Sequence, residues 1–232
     1  MRSPAVALCL LCTSLVSAQS RVPALVVPDN DAFTALRVAQ IRVESRVVGH
    51  LADTTMTLTF ANPHRWERDG KFLFPLPDGA TVCGYGLDIQ GTMVDGVIVE
   101  HEWAERAYET IVQREIDPGL LEWVGPNTLR TRVYPIPGEG SRTVRVRYVA
   151  ELGPRDEAGA RTFRLPLGFG KVLDELAVRV EVAGALSGPR LLRSPVPGLA
   201  FKPADARFVA EASAENVTPR DDLVVAVPSA AG

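Results

Sequence analysis

Cysteine is almost missing from this 232-residue chain, which has only Cys9, Cys12 and Cys83. Two of them fall in "MRSPAVALCLLCTSLVSAQS". There Arg2, a short apolar run from Ala5 to Leu11 and Val16-Ser17-Ala18 before Gln19 follow the pattern of a secretory signal peptide. The Cys9–Cys12 CxxC is therefore expected to leave with residues 1–18, and the small-residue pattern that precedes a lipidated cysteine does not stand before Cys12. A mature chain cut near Ala18-Gln19 keeps Cys83 alone, so it has no internal disulfide and its core must hold the fold. Cys83 itself reads as a small buried apolar residue. The expected destination is secreted, or periplasmic or at the cell surface. The Ala-, Arg-, Val- and Gly-rich usage suggests a bacterial source.

Histidine is equally scarce. His50, His64 and His101 have no second His or Cys at short ligand spacing, and "HEWAE" lacks the second histidine of a zinc helix. They read as surface or turn residues, and no metal is expected. No G-x-S-x-G elbow occurs, since Ser141 in "GEGSR" lacks the second glycine. No phosphate loop occurs either, because "GYG" is not followed by a helix start and lysine. These gaps leave no catalytic residue and no cofactor to assign. A carboxylate-based secreted hydrolase stays open as a second alternative, because an acid pair shows only in three dimensions. The net charge of −3 gives no whole-chain case for nucleic acid or an anionic membrane. No apolar run is long enough to span a bilayer.

What the chain does have is strand patterning. "TTMTLTF" sets Thr54, Met56, Leu58 and Phe60 on one face and Thr55, Thr57 and Thr59 on the other, a period of two with one wet face. "LRVAQIRV" slips phase between Leu36/Val38 and Ile41/Val43, which predicts a bulge or two short strands. "KFLFPLP" closes on prolines and suits an edge or terminal strand. "CGYGLDI" would set Cys83, Tyr85, Leu87 and Ile89 on one side, and Gln90-Gly91 is a hairpin turn into "TMVDGVIVE". "LRTRVYP", "RTVRVRYVAEL", "TFRLPL", "LAVRVEV", "RFVAEA" and "LVVAV" continue the series. One segment differs. From Trp103 the apolar residues Trp103, Ala104, Ala107, Tyr108, Ile111 and Val112 recur at helical spacing, so its carboxylates read as a solvated helix face. The expected fold class is mainly all-β: an antiparallel β-sandwich with one short helix packed on it, followed by further β-strands. "GPRDEAGA" (153–160) is the candidate boundary.

The ordered pieces "FPLPDGATVCGYGLDIQG", "AERAYETIVQ", "DPGLLEW" and "NTLRTRVYPIPGEGSRTVRVRYVAEL" together resemble the vault protein inter-alpha-trypsin (VIT) domain, over about residues 25–153. Residues 160–232 resemble the β-rich connector that follows it. The resemblance implies a non-catalytic extracellular interaction module with a protein or neighbouring domain as partner. Members usually carry this module ahead of a von Willebrand type A domain, whose Asp-x-Ser-x-Ser metal motif does not stand here.

Two candidate partner-binding groups follow from the residues. Arg130, Arg132, Arg145 and Arg147 take the outward phase of two strands joined by "PIPGEGS". If those strands pair as a hairpin, four guanidinium groups share one face, which would suit an acidic polysaccharide or other polyanion; a solvated face screened by neighbouring acids is the alternative. Leu120, Leu121 and Trp123 in "DPGLLEWVGPN" either cap the core or form a docking patch.

Overall fold

The computed structural model describes residues 22–29, 32–98, 120–123, 127–185 and 187–228, and every regular element among them is a strand. The helix expected over 103–112, and His101 with it, lies outside the described residues. A first sheet holds, in spatial order, β2 (Ala32–Ala35), β1 (Ala24–Asp29), β5 (Arg68–Pro75), β10 (Thr128–Ile136), β9 (Leu120–Trp123) and β8 (Val97–Ile98). A second sheet holds β15 (Phe201–Ala204), β16 (Arg207–Val217), β13 (Leu173–Ala183), β3 (Arg37–Val48), β4 (Leu51–Ala61), β11 (Ser141–Glu151), β6 (Thr81–Ile89) and β7 (Thr92–Asp95). A small third sheet holds β12 (Ala160–Leu165), β17 (Leu223–Pro228) and β14 (Arg190–Arg193).

The period-two pattern decides which face is buried. Met56, Leu58 and Phe60 on β4 are buried, as are Val144, Val146 and Tyr148 on β11 and Leu176, Val178, Val180 and Val182 on β13. From the first sheet Leu25, Val27, Phe72, Phe74, Leu129 and Val133 meet them. Rings touch across the gap: Phe60 meets Phe72 edge-on at 5.8 Å, and Phe74 lies 5.9 Å from Tyr148. Each fully buried Phe contributes about 1.5–3 kcal/mol, so these inter-sheet contacts hold the sandwich closed. The phase slip in β3 is a bulge at Ala39, since Val38 pairs with Phe60 and Gln40 with Thr59. Gln90 (φ 54°) and Gly91 (φ 84°) close the two-residue hairpin between β6 and β7, both in the left-handed region that this turn requires.

The mainly antiparallel all-β fold stands, with two parallel pairings added. β13 lies parallel to β3 from Glu175↔Gln40 to Ala183↔Val48, so strands beyond 160 extend the second sheet, and β8 lies parallel to β9. Three expectations are corrected. β5 is an interior strand between β1 and β10; its proline stands at the strand end, where Pro75 faces Thr128, and removes little from the ladder. Cys83 is exposed, not buried. Arg147 pairs with Gly84 and Tyr148 with Val82, so Cys83 is the extra residue of a bulge and drops out of the inward phase. Finally, β10 and β11 do not form a hairpin. β10 pairs with β5 and β9, β11 with β4 and β6, and residues 137–140 carry the chain from one sheet to the other.

Two buried polar side chains fix that crossover. Asn62, 2% exposed, donates through Nδ2 to the carbonyls of Trp66 (3.2 Å), Ile136 (3.2 Å) and Pro137 (2.9 Å), and its Oδ1 accepts the His64 N–H at 3.1 Å. Arg142 takes the inward phase of β11 and donates to the carbonyls of Asp88 on β6 and Pro135 on β10. Burial holds its pKa below the ordinary arginine value.

Candidate interaction surface

The outward residues of the second sheet fall into rows, because the registers of β11, β4, β3, β13 and β16 align. One row reads Val149, Asp53, Arg46, Glu181, Val209 and the next reads Arg147, Thr55, Glu44, Arg179, Glu211. Acid and base alternate both along the strands and across them. A shallow groove of about 360 Å³ lies here, lined by Glu44, Arg46, Asp53, Thr55, Arg147, Arg179 and Glu181, with Ser45.

Most of these charges are committed. Arg147 grips Asp53 with two hydrogen bonds of 2.9 and 2.5 Å, which holds the Asp53 carboxyl below its usual range, with partial burial opposing. Arg179 binds Glu181 at 2.5 Å and also Glu211, and Arg207 reaches Glu181 at 3.3 Å. The hydrogen bond from Arg179 is the largest cause of the lowered Glu181 pKa. Glu44 and Arg46, two residues apart on β3, are both exposed. Arg46 stands opposite Asp53 and Glu181, and its charge helps lower both their pKa values. Neither Glu44 nor Arg46 is held by a direct hydrogen bond or close ion pair among the described residues.

The four expected arginines are split. Arg145 and Arg147 stand on the outer face of the second sheet, whereas Arg130 and Arg132 stand on the outer face of the first, on the other side of the sandwich. A carboxylate answers Arg132, Arg145 and Arg147, and Arg130 is engaged as well. Arg132 binds Asp69 through Nε and Nη2 at 2.6–3.0 Å and lies 5.5 Å over the Tyr134 ring. Arg145 meets Asp95 at 2.7 Å, and Arg147 holds Asp53. Exposed pairs of this kind contribute about 0–1 kcal/mol, so they set local charge rather than stability. Leu120, Leu121 and Trp123 form β9, whose backbone pairs with β10 through Trp123↔Leu129 and Leu121↔Thr131. Of the histidines, His50 is exposed in the turn after β3, and His64 is half-buried in the bend after β4. No cluster of three or more His, Cys, Asp or Glu suited to a metal occurs among the described residues. Sequence reasoning missed Glu44, Arg46, Arg179 and Glu181. Their outward phase was legible in "RVESRVV" and "LAVRVEV", but the parallel alignment of β3 with β13 was not.

Residues 38–148, from the second residue of β3 to Tyr148 in β11, match the family model of the Vault protein inter-alpha-trypsin domain. That segment is similar to the VIT domain. Curated relatives share it. Protein mono-ADP-ribosyltransferase PARP4 of Mus musculus is 27% identical over 112 residues, and that of Homo sapiens is 26% identical over 112 residues. The match takes in 48% of this chain but 6% of each relative, so the transferase activity in their name stays with them. Among solved structures, a candidate nutrient binding protein from Legionella pneumophila superposes with a TM-score of 0.53 at 14% identity, covering 89% of this chain and 70% of that one. At that identity the likeness concerns the fold alone. Within the matched segment β3 stands at one edge of the strand set, and β13 and β16 continue the sheet beyond it.

Proposed function

We propose that this chain is a non-catalytic interaction module of VIT type that works outside the cytoplasm. It is secreted, or held in the periplasm or at the cell surface, after cleavage near Ala18-Gln19, and it holds a partner protein or a neighbouring domain of von Willebrand type A kind. The match of residues 38–148 to the VIT domain carries this reading. The charges support it. Asp53, Asp174 and Glu181 have their pKa values lowered by arginine hydrogen bonds, the opposite of what a general acid needs. The carboxylates opposite Arg132, Arg145 and Arg147 weigh against a polyanion face.

The test is photo-crosslinking in the cells of origin, with a photoreactive residue placed in turn at Trp123, Val48 and Lys71. A discrete adduct, reproduced with the purified partner, is expected. No adduct from any position, together with turnover in a hydrolase substrate screen, would sink the reading. Intact mass of the exported chain checks the compartment: an N-terminus at Gln19 is expected, and a retained Met1 would refute export.

A further inference from the structure

We propose that the outer face of the second sheet binds a second copy of this chain, face to face, about a two-fold axis that crosses β3 at right angles above Ser45. Glu44 and Arg46 are the starting observation. They are opposite charges, exposed, and flank Ser45 on one strand. Arg46 attracts Asp53 and Glu181 on the adjacent strands through space, and neither side chain is held by a direct hydrogen bond or close ion pair among the described residues. Rotation about such an axis reverses the strand direction and keeps each strand over itself. It therefore sets Arg46 over the partner's Glu44 and Glu44 over the partner's Arg46, as an isologous contact requires.

The rest of the face follows the same operation without conflict. The row Val149, Asp53, Arg46, Glu181, Val209 comes to lie over the partner copy's row Arg147, Thr55, Glu44, Arg179, Glu211. Glu181 thus meets Arg179, and Asp53 meets a threonine. One row further out, Glu151, Leu51, Val48, Ala183, Arg207 covers Arg145, Thr57, Arg42, Ala177, Ser213. Glu151 meets Arg145, Ala183 meets Ala177, and no like charges are opposed. Val48 and Leu51, 53% and 40% exposed, would be covered at the same time.

The other in-plane axis, along β3, brings like charges together. It stacks β4 on β13 and sets Arg46 on Arg46, Glu44 on Glu44, Arg42 on Arg42 and Asp53 on Glu181. Like charges directly opposed destabilise a pairing. The pattern therefore selects one two-fold over the other. Five strands about 4.8 Å apart and four rows about 6.8 Å apart give roughly 650 Å² of sheet plane per copy. That approaches the roughly 800 Å² per partner of a standard interface. The strands of the two sheets would run within about 30° of one another.

Sedimentation of the full chain tests this. Wild type at about 50 mM salt should show the mass of two chains, with dissociation on dilution and at high salt. Arg46→Glu and Glu44→Arg each oppose like charges and should weaken the dimer roughly tenfold or more. Mixed in equal amounts, the two variants restore both pairs, so a heterodimer should form that neither makes alone. Both substitutions are on an exposed face, and circular dichroism verifies that the fold is kept. A wild type that stays monomeric up to about 1 mM would overturn the proposal. So would an Arg46→Glu variant that dimerises like wild type, or a mixture that does not associate. Loss of the dimer leaves crosslinking to a partner protein through other faces untouched, so this proposal and the interaction reading fail separately.

Discussion

Replacing Asn62 by alanine removes one of the two buried side chains, with Arg142, that satisfy the backbone where the chain leaves β10 for β11. Its amide serves three carbonyls and holds the His64 N–H. The bond to Ile136 O is fully buried, while those to Trp66 O and Pro137 O are partly so. A buried polar group left unsatisfied costs about 1–3 kcal/mol, and water can reach the other carbonyls, so the total comes to roughly 2–4 kcal/mol. For a chain of this size, at about 2–4 °C per kcal/mol, the melting temperature should fall by roughly 4–16 °C. Urea unfolding followed by circular dichroism should show a lower midpoint at an unchanged slope. Asn62→Asp keeps the shape but turns the donors into acceptors facing carbonyls, and should do at least as much harm. Asn127→Ala is the control. Its exposed amide donates to Asp78 at 2.6 Å, and its loss should cost under about 1 kcal/mol. If Asn62→Ala costs no more than Asn127→Ala, the crossover is not held by this amide and the reasoning is wrong.

Gly138→Ala should be severe, because the added Cβ would stand 2.2 Å from the Arg65 carbonyl oxygen, a backbone atom that cannot swing away. A loss of about 3 kcal/mol or more is expected in the same unfolding assay, and near-neutrality would refute the close approach. Burial pushes the Tyr85 phenol up to about 12 and raises that of Tyr148 as well. The unfolded state then loses these protons first, at about pH 10, so stability is full below that pH and falls as pH rises towards the folded values. Phenolate absorbance should show fewer ionised tyrosines at about pH 11 in the native protein than in denaturant; equal numbers would count against the burial. Cys83 should react with a thiol reagent in the native protein about as fast as in the unfolded chain, since it is exposed on its bulge. Reaction only on unfolding would restore the buried reading.

What the sequence revealed was whatever depends on neighbours in the chain. The alternation in "TTMTLTF" sorts into Met56, Leu58 and Phe60 inside and three threonines outside, and the slip at Ala39 and the Gln90-Gly91 turn were equally plain. What it hid depends on partners far along the chain. Prolines made β5 look like an edge, yet strand position is set by which other strands flank it. "PIPGEGS" looked like a hairpin turn between two well-patterned strands. The buried Asn62 and Arg142, whose partners lie 54 to 75 residues away for the Asp88, Ile136 and Pro137 carbonyls, show why it is a crossover. Glu44 and Arg179 were each readable as outward residues, but only the parallel register sets them opposite each other.

That parallel register also governs the order in which the protein can be completed. Val43 waits for Val178, 135 positions later in synthesis. At roughly 5–20 residues per second, β3 therefore spends roughly 7–27 seconds with one side of its backbone unsatisfied while β4 is already available on the other. Over that interval the nascent chain presents a long open edge, rich in valine, that could accept a strand from a neighbouring chain. A ribosome-bound fragment ending before Leu173 should engage chaperones more strongly than one that includes Ala183.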